Sequence, residues 1–264
     1  MSVIFTTHDQ ITASANIIPI YVLRPSEWDT YADSLTASHS AFAQAQHFKG
    51  SAGQLVLLPD VDGSIAAVLF GAGRSKNDEQ GAIRAGGLSS ALSAGYYQFE
   101  RLPEDWGSAL TAIGWGLGAY KYEQYLKKET QFPTLVLDGP DGLSEIVSLT
   151  EASRLCRDLI NTPAGDMGPE ALHQAAADLA NEYGASQTVT IGEDLLSENY
   201  PMIHAVGRAA HEAPRLVEFE WGNPDHPRLA LIGKGITFDT GGLNIKSAVG
   251  ALSLIHISEP TRPY

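Results

Sequence analysis

The segment GKGITFDTGGLNIK, residues 233–246, places four glycines, two lysines and one aspartate at the end of an apolar run. The preceding stretch, RLALIGKG (228–235), reads as a continuous buried strand. Glycines at the end of such a strand let the backbone turn sharply and approach another group closely. Lys234, Asp239 and Lys246 are spaced by five and seven residues around Gly241-Gly242. Several chemistries compete for this pattern. A phosphate-binding P-loop fails, because Gly233-Lys234 is followed by Gly235 rather than Ser or Thr, and position 228 is Arg. The dinucleotide fingerprint fails as well, since Gly233-x-Gly235 meets Phe238 three residues on. Asp239-Thr240-Gly241 has the aspartic-protease tripeptide, but that chemistry needs two carboxylates sharing a proton, and the chain carries one copy. A nearby lysine would also hold the carboxylate ionised. An ordinary lysine–aspartate ion pair at a tight strand–loop junction is the plainest alternative.

Outward from this segment, the chain has 264 residues, 44% hydrophobic and 18% charged, an ordinary globular composition with room for two domains. The net charge of −14 argues against nucleic-acid partners and against adhesion to anionic membranes. No apolar stretch is long enough for a transmembrane helix, and the N-terminus lacks the basic start of a secretory signal. The single cysteine, Cys156, excludes an intramolecular disulfide framework and fits a cytoplasmic location. It reads as buried apolar filler rather than a nucleophile. The histidines show neither H-x-x-x-H nor H-E-x-x-H spacing.

Strands are expected at NIIPIYVL (16–23), YYQFERL (96–102), TLVLDG (134–139), TVTIGE (188–193) and RLVEFEWG (215–222). QLVLLP (54–59) and SIAAVLFG (64–71) read as a hairpin pair. Helices are expected over 26–48 with Ser26 as N-cap, over 83–93, over 105–127, over 143–160, and from Gly168-Pro169 to about Tyr183. Gly107, Gly114, Gly116 and Gly118 imply close packing of the third of these. Alternation of this kind implies an α/β fold, with a domain boundary between 140 and 165.

The extended pattern, GKGITFDTGG followed by Lys246, resembles the leucyl aminopeptidase family of dinuclear metallopeptidases. NTPAGDMGPEAL (161–172) and AVGRAAHEAPRLVEFEWG (205–222) look like segments leading into that family's catalytic domain, and GWGLGAYKYEQY (114–125) looks like the end of its N-terminal domain. The resemblance implies a macro-domain-like, non-catalytic N-terminal α/β domain over 1–145 and a connecting helix over 146–165. The first part of an α/β aminopeptidase catalytic domain would follow over 166–250. It implies a metal-dependent aminopeptidase, cytoplasmic and homohexameric, that releases N-terminal residues from peptide substrates through a water activated by two divalent ions, zinc or manganese. In the family, the lysine matching Lys234 is a metal ligand and must bind as the neutral amine, which a neighbouring cation favours. Asp239 matches a carboxylate ligand. Lys246 matches the protonated lysine that polarises the scissile carbonyl.

The chain departs from that pattern beyond Lys246. The family's further aspartate, its Asp-x-Glu-x-Arg segment and the arginine that helps hold a bicarbonate ion have no counterpart here, and Glu259 is the only acid after Lys246. Residues 251–264 read as a non-native tail, with SLIHISEPTRPY resembling translated adaptor sequence on a truncated gene; a natural short paralogue is the alternative. On this reading the chain as it stands is inactive. The rival class is a non-enzymatic α/β binding or assembly module built on the N-terminal domain.

Overall fold

The computed structural model describes residues 4–74, 81–127, 130–139, 142–235 and 237. The chain divides into two compact units, 1–158 and 159–264.

The first unit is built on a six-stranded sheet in the order β1-β6-β5-β2-β4-β3. Its strands are β1 (Phe5–Thr7), β2 (Ile17–Leu23), β3 (Leu55–Pro59), β4 (Ile65–Gly71), β5 (Tyr96–Arg101) and β6 (Thr134–Leu137). Five run parallel, and β3 pairs antiparallel with β4 through the expected hairpin. The turn of that hairpin uses Gly63 at φ +84°, a conformation that favours glycine. β2 lies near the centre and is apolar almost throughout, as a strand covered on both faces must be.

Alternation along the strands feeds two cores. Ile20, Val22, Val68 and Phe70 pack on one face with Tyr97, Leu135 and Trp115. Leu23, Ala67 and Leu69 pack on the other with Trp28, Phe48 and Leu58. The period of two assigns successive residues to opposite faces. Helices α1 (Pro25–Ala32) and α2 (Ala37–Ala45) cover the second face. A 3-10 turn over Ala82–Ala85, α3 (Gly86–Ala91) and α4 (Ser108–Gly118) cover the first.

The single helix expected over 26–48 is in fact two helices. Arg24, not Ser26, is the N-cap of α1, and Pro25 takes its first position. Ser34, Leu35 and Thr36 interrupt the run, and the Thr36 hydroxyl accepts the His39 amide at 3.2 Å to start α2. Helix α4 is also shorter than expected, ending at Gly118. Its glycines serve close packing, as anticipated: a Cβ on Gly114 would lie 2.8 Å from the Ile83 backbone, and one on Gly118 would collide with the carbonyl of Gly86. Gly107 has open space around it and plays no such part.

Helix α5 (Leu143–Asn161) runs across the division of the chain. The second unit then contains α6 (Pro169–Glu182), β7 (Ser186–Ile191), α7 (Asp194–Ser197), α8 (Pro201–Gly207) and β8 (Arg215–Glu220). β7 and β8 form an antiparallel ribbon.

The strand expected at 228–235 does not form: these residues carry no regular structure and are exposed. Leu229, Leu231 and Ile232 are each more than four-fifths exposed. A strand is a tertiary object that needs a hydrogen-bonding neighbour. Among the described residues β8 pairs only with β7, so this apolar run finds no partner edge. Buried side chains are correspondingly few in the second unit: among its described residues they are Thr162, Ala180 and Leu195.

Candidate functional site

Of the three residues singled out above, Lys234 lies within the described residues, and Asp239 and Lys246 lie outside them. Lys234 is exposed and sits between two glycines in the irregular stretch after β8. Gly235 beside it runs along α6, where an added Cβ would lie 2.9 Å from a Leu172 methyl. Among the described residues no three His, Cys, Asp or Glu side chains gather as a metal site. By residue type, an amine and a carboxylate are donors of the kind that suit a divalent ion such as zinc or manganese.

Helix α6 is fixed by a polar net that no local pattern announced. Its N-cap is Gly168 and its first residue is Pro169, so neither supplies a capping side chain. The cap comes instead from Glu212, whose carboxylate accepts the Glu170 amide at 3.0 Å. That carboxylate stands where a Cβ on residue 168 would be, so any other residue there would displace it. A negative charge at a helix N-terminus also complements the helix dipole.

Arg215, at the start of β8 and nearly buried, donates to His173 Nδ1 at 3.1 Å and to Glu170 Oε2 at 3.4 Å. His173 therefore accepts through Nδ1 and carries its proton on Nε2. The net ties the first two turns of α6 to β8, the strand that leads into the segment bearing Lys234. Glu212→Ala is expected to destabilise α6 by about 1 kcal/mol, the usual cost of a lost cap. Hydrogen exchange should show faster amide exchange in the first turn of α6, with β7 and β8 unchanged.

With this geometry in view, similarity to known proteins assigns the chain. Residues 154–254 match the catalytic-domain model of the cytosol aminopeptidase family, and residues 18–138 match the model of the M17 aminopeptidase N-terminal domain. The chain belongs to the cytosol aminopeptidase family.

A probable cytosol aminopeptidase of Corynebacterium glutamicum is 29% identical over 265 residues, covering 96% of this chain and 51% of that protein. The crystal structure of the Coxiella burnetii cytosol aminopeptidase superposes with a TM-score of 0.80 at 33% identity, covering 94% of this chain and 52% of the other. The bottromycin maturation enzyme BotP, solved in complex with manganese, shares the fold at a TM-score of 0.63 and 24% identity, covering 80% of this chain and 46% of its own. The chain spans about half the length of the curated relatives it matches. The matches bear out the mixed α/β fold expected from the sequence, with a parallel sheet in its N-terminal part. Among the described residues no helix is long and apolar enough to cross a membrane. Cys156 is exposed, contrary to the buried position expected for it, because the face of α5 that carries it is not covered.

Proposed function

We propose that this chain carries the N-terminal domain and the first metal-binding segment of a leucyl-type, metal-dependent aminopeptidase. The supporting observation is the Lys234–Asp239–Lys246 spacing around Gly241-Gly242, inside the stretch that matches the family's catalytic model. The domain assignment proposed is 1–145 for the non-catalytic domain, 146–165 for the connecting helix and 166–250 for the catalytic part, with 251–264 foreign to it. Lys234, as a neutral amine, and Asp239 would hold divalent metal; zinc or manganese suits this donor pair, and BotP was solved with manganese. Bound ions would supply Lewis acidity for hydrolysis of the N-terminal peptide bond. Lys246 would stay protonated and stabilise the oxyanion that develops on the scissile carbonyl. The glycines at 241 and 242 would let the backbone approach the peptide.

Closed metal sites use about four ligands each. Lys234 and Asp239 supply two donors, so the 264-residue chain by itself should not hold two ions tightly. The expected whole enzyme is a cytoplasmic homohexamer acting on peptides, with bicarbonate assisting water activation through an arginine that these 264 residues lack.

The test is a chimera joining residues 1–250 to the C-terminal half of the Coxiella burnetii relative, assayed on a leucine anilide with and without Mn²⁺ or Zn²⁺. Metal-dependent release by the chimera, and none by the 264-residue chain, is the expected result. A folded, hexameric chimera without metal-dependent release would put the binding or assembly module ahead. The first unit favours that second reading to one extent: it has cores on both faces of its own sheet.

A further inference from the structure

The strand order of the first unit reverses beside β2. The chain moves from β2 to β4 on one side, then returns to place β5 on the other. In open α/β sheets, ligands enter the crevice at such a reversal, outside the carboxyl ends of the strands. Here the reversal lies between the connection after β2 and the connection after β5.

That position already holds a guanidinium and a carboxylate. Arg24 directly follows β2 and is 4% exposed. Its Nη2 donates to both oxygens of Asp105, at 2.6 and 2.7 Å, and its Nη1 donates to the Gly73 carbonyl beyond β4 at 3.3 Å. Asp105 lies in the connection after β5, with its side chain 35% exposed toward solvent. One buried cation thus spans the carboxyl ends of three adjacent parallel strands.

A second pair repeats the stitch, Arg101 at the end of β5 donating to Glu27 of α1 at 3.0 Å. The backbone closes in as well. Gly50, at φ +67°, leaves no room for a Cβ, which would lie 2.7 Å from the Arg24 carbonyl carbon, and a Cβ on Gly71 would strike the Ser51 carbonyl.

We infer that the crevice at the carboxyl ends of β2 and β5 is an oxyanion site whose ligand is the chain's own Asp105. A buried arginine whose Nη2 meets both oxygens of one carboxylate holds a planar oxyanion through charge-assisted hydrogen bonds. Asp105, being part of the chain, is present at high effective concentration and keeps external anions out. The site's chemical class is a small carboxylate, and in the intact protein it works as an internal clasp, not as a receptor.

The experiment removes the internal ligand and offers an external one. Asp105→Ala in the 264-residue chain should lower the thermal midpoint by about 5–10 °C, because buried Arg24 loses the carboxylate that its Nη2 holds. Sodium acetate should restore about 4 °C of this in a saturable way, relative to sodium chloride at equal ionic strength. Asp105→Asn, which keeps the volume filled, should show no response to acetate, and neither should Arg24→Met/Asp105→Ala. If Asp105→Ala does not fold in chloride, its refolding yield in acetate against chloride reads the same quantity. Equal acetate effects on the variant and the unaltered chain would overturn the inference. Saturable stabilisation of the unaltered chain by AMP or inorganic phosphate would also overturn it, since the crevice would then be open.

Discussion

Lys234→Met, made in the chimera of residues 1–250, is expected to abolish metal-dependent release from a leucine anilide, with the rate falling by at least about 10³-fold. The reason is electronic. A methionine side chain of similar length offers a soft thioether in place of an amine, and a hard divalent ion has little affinity for it. Lys234→Arg should fail almost as badly, because a guanidinium does not give up its proton to become a donor. Lys246→Met behaves differently: metal content is kept, and kcat falls by about 10²–10³, the cost of one lost oxyanion donor. Metal analysis of the purified variants separates the two roles. The assignment of Lys234 as a ligand fails if Lys234→Met retains full metal content and activity.

Trp115→Ala is expected to cost about 3–5 kcal/mol in the first unit, the range for emptying a large buried aromatic site. Trp115 has no exposed surface. Its ring lies 6.0 Å from Phe99 in an edge-on arrangement and 6.1 Å from Tyr97. Its carbonyl accepts the Ser89 hydroxyl at 2.7 Å, which helps seat α3 against α4. One detail changes what a smaller substitution should do. Among the described residues the buried indole Nε1 has no hydrogen-bond partner, a costly state for a polar group. Trp115→Phe removes that orphan along with part of the ring, so its loss should fall well below what the missing volume alone implies, about 1 kcal/mol. Urea unfolding followed by far-UV circular dichroism, with m unchanged, measures both. A phenylalanine variant as unstable as the alanine one would show that volume alone governs the site.

The hairpin of β3 and β4 was legible because Asp60, Asp62 and Gly63 separate two apolar runs, and turn chemistry is local. The glycines of α4 were legible for a similar reason: repeated small residues on a helix announce a close neighbour, here the backbone at Ile83 and Gly86. Where reading failed, the deciding partner lay elsewhere. The 26–48 stretch has helical composition throughout, and the break at 33–36 shows only in the capping by Thr36. The run at 228–235 has strand composition, but composition cannot supply the neighbouring strand that would hold it. Glu212 caps a helix that begins 43 residues earlier, so no window on α6 contains the signal. The clasp of Arg24 by Asp105 joins residues 81 apart in the chain and was equally invisible. The candidate site could be proposed from spacing because donor chemistry is written in residue types, Lys234 and Asp239 among them; of these two, Lys234 alone lies within the described residues.

The pairing of β1 with β6 sets a timetable for synthesis. Phe5 leaves the ribosome well before Leu135, the residue it lies opposite, which follows about 130 residues later. At a translation rate of about 5–20 residues per second, β1 waits roughly 6–26 s for β6, its neighbour in the sheet among the described residues. Throughout that interval the growing polypeptide presents an unmatched strand to the cell, and a ribosome stalled before codon 134 would release a product that cannot close. Early association with a nascent-chain chaperone, ending as β6 emerges, is the behaviour this order of events implies.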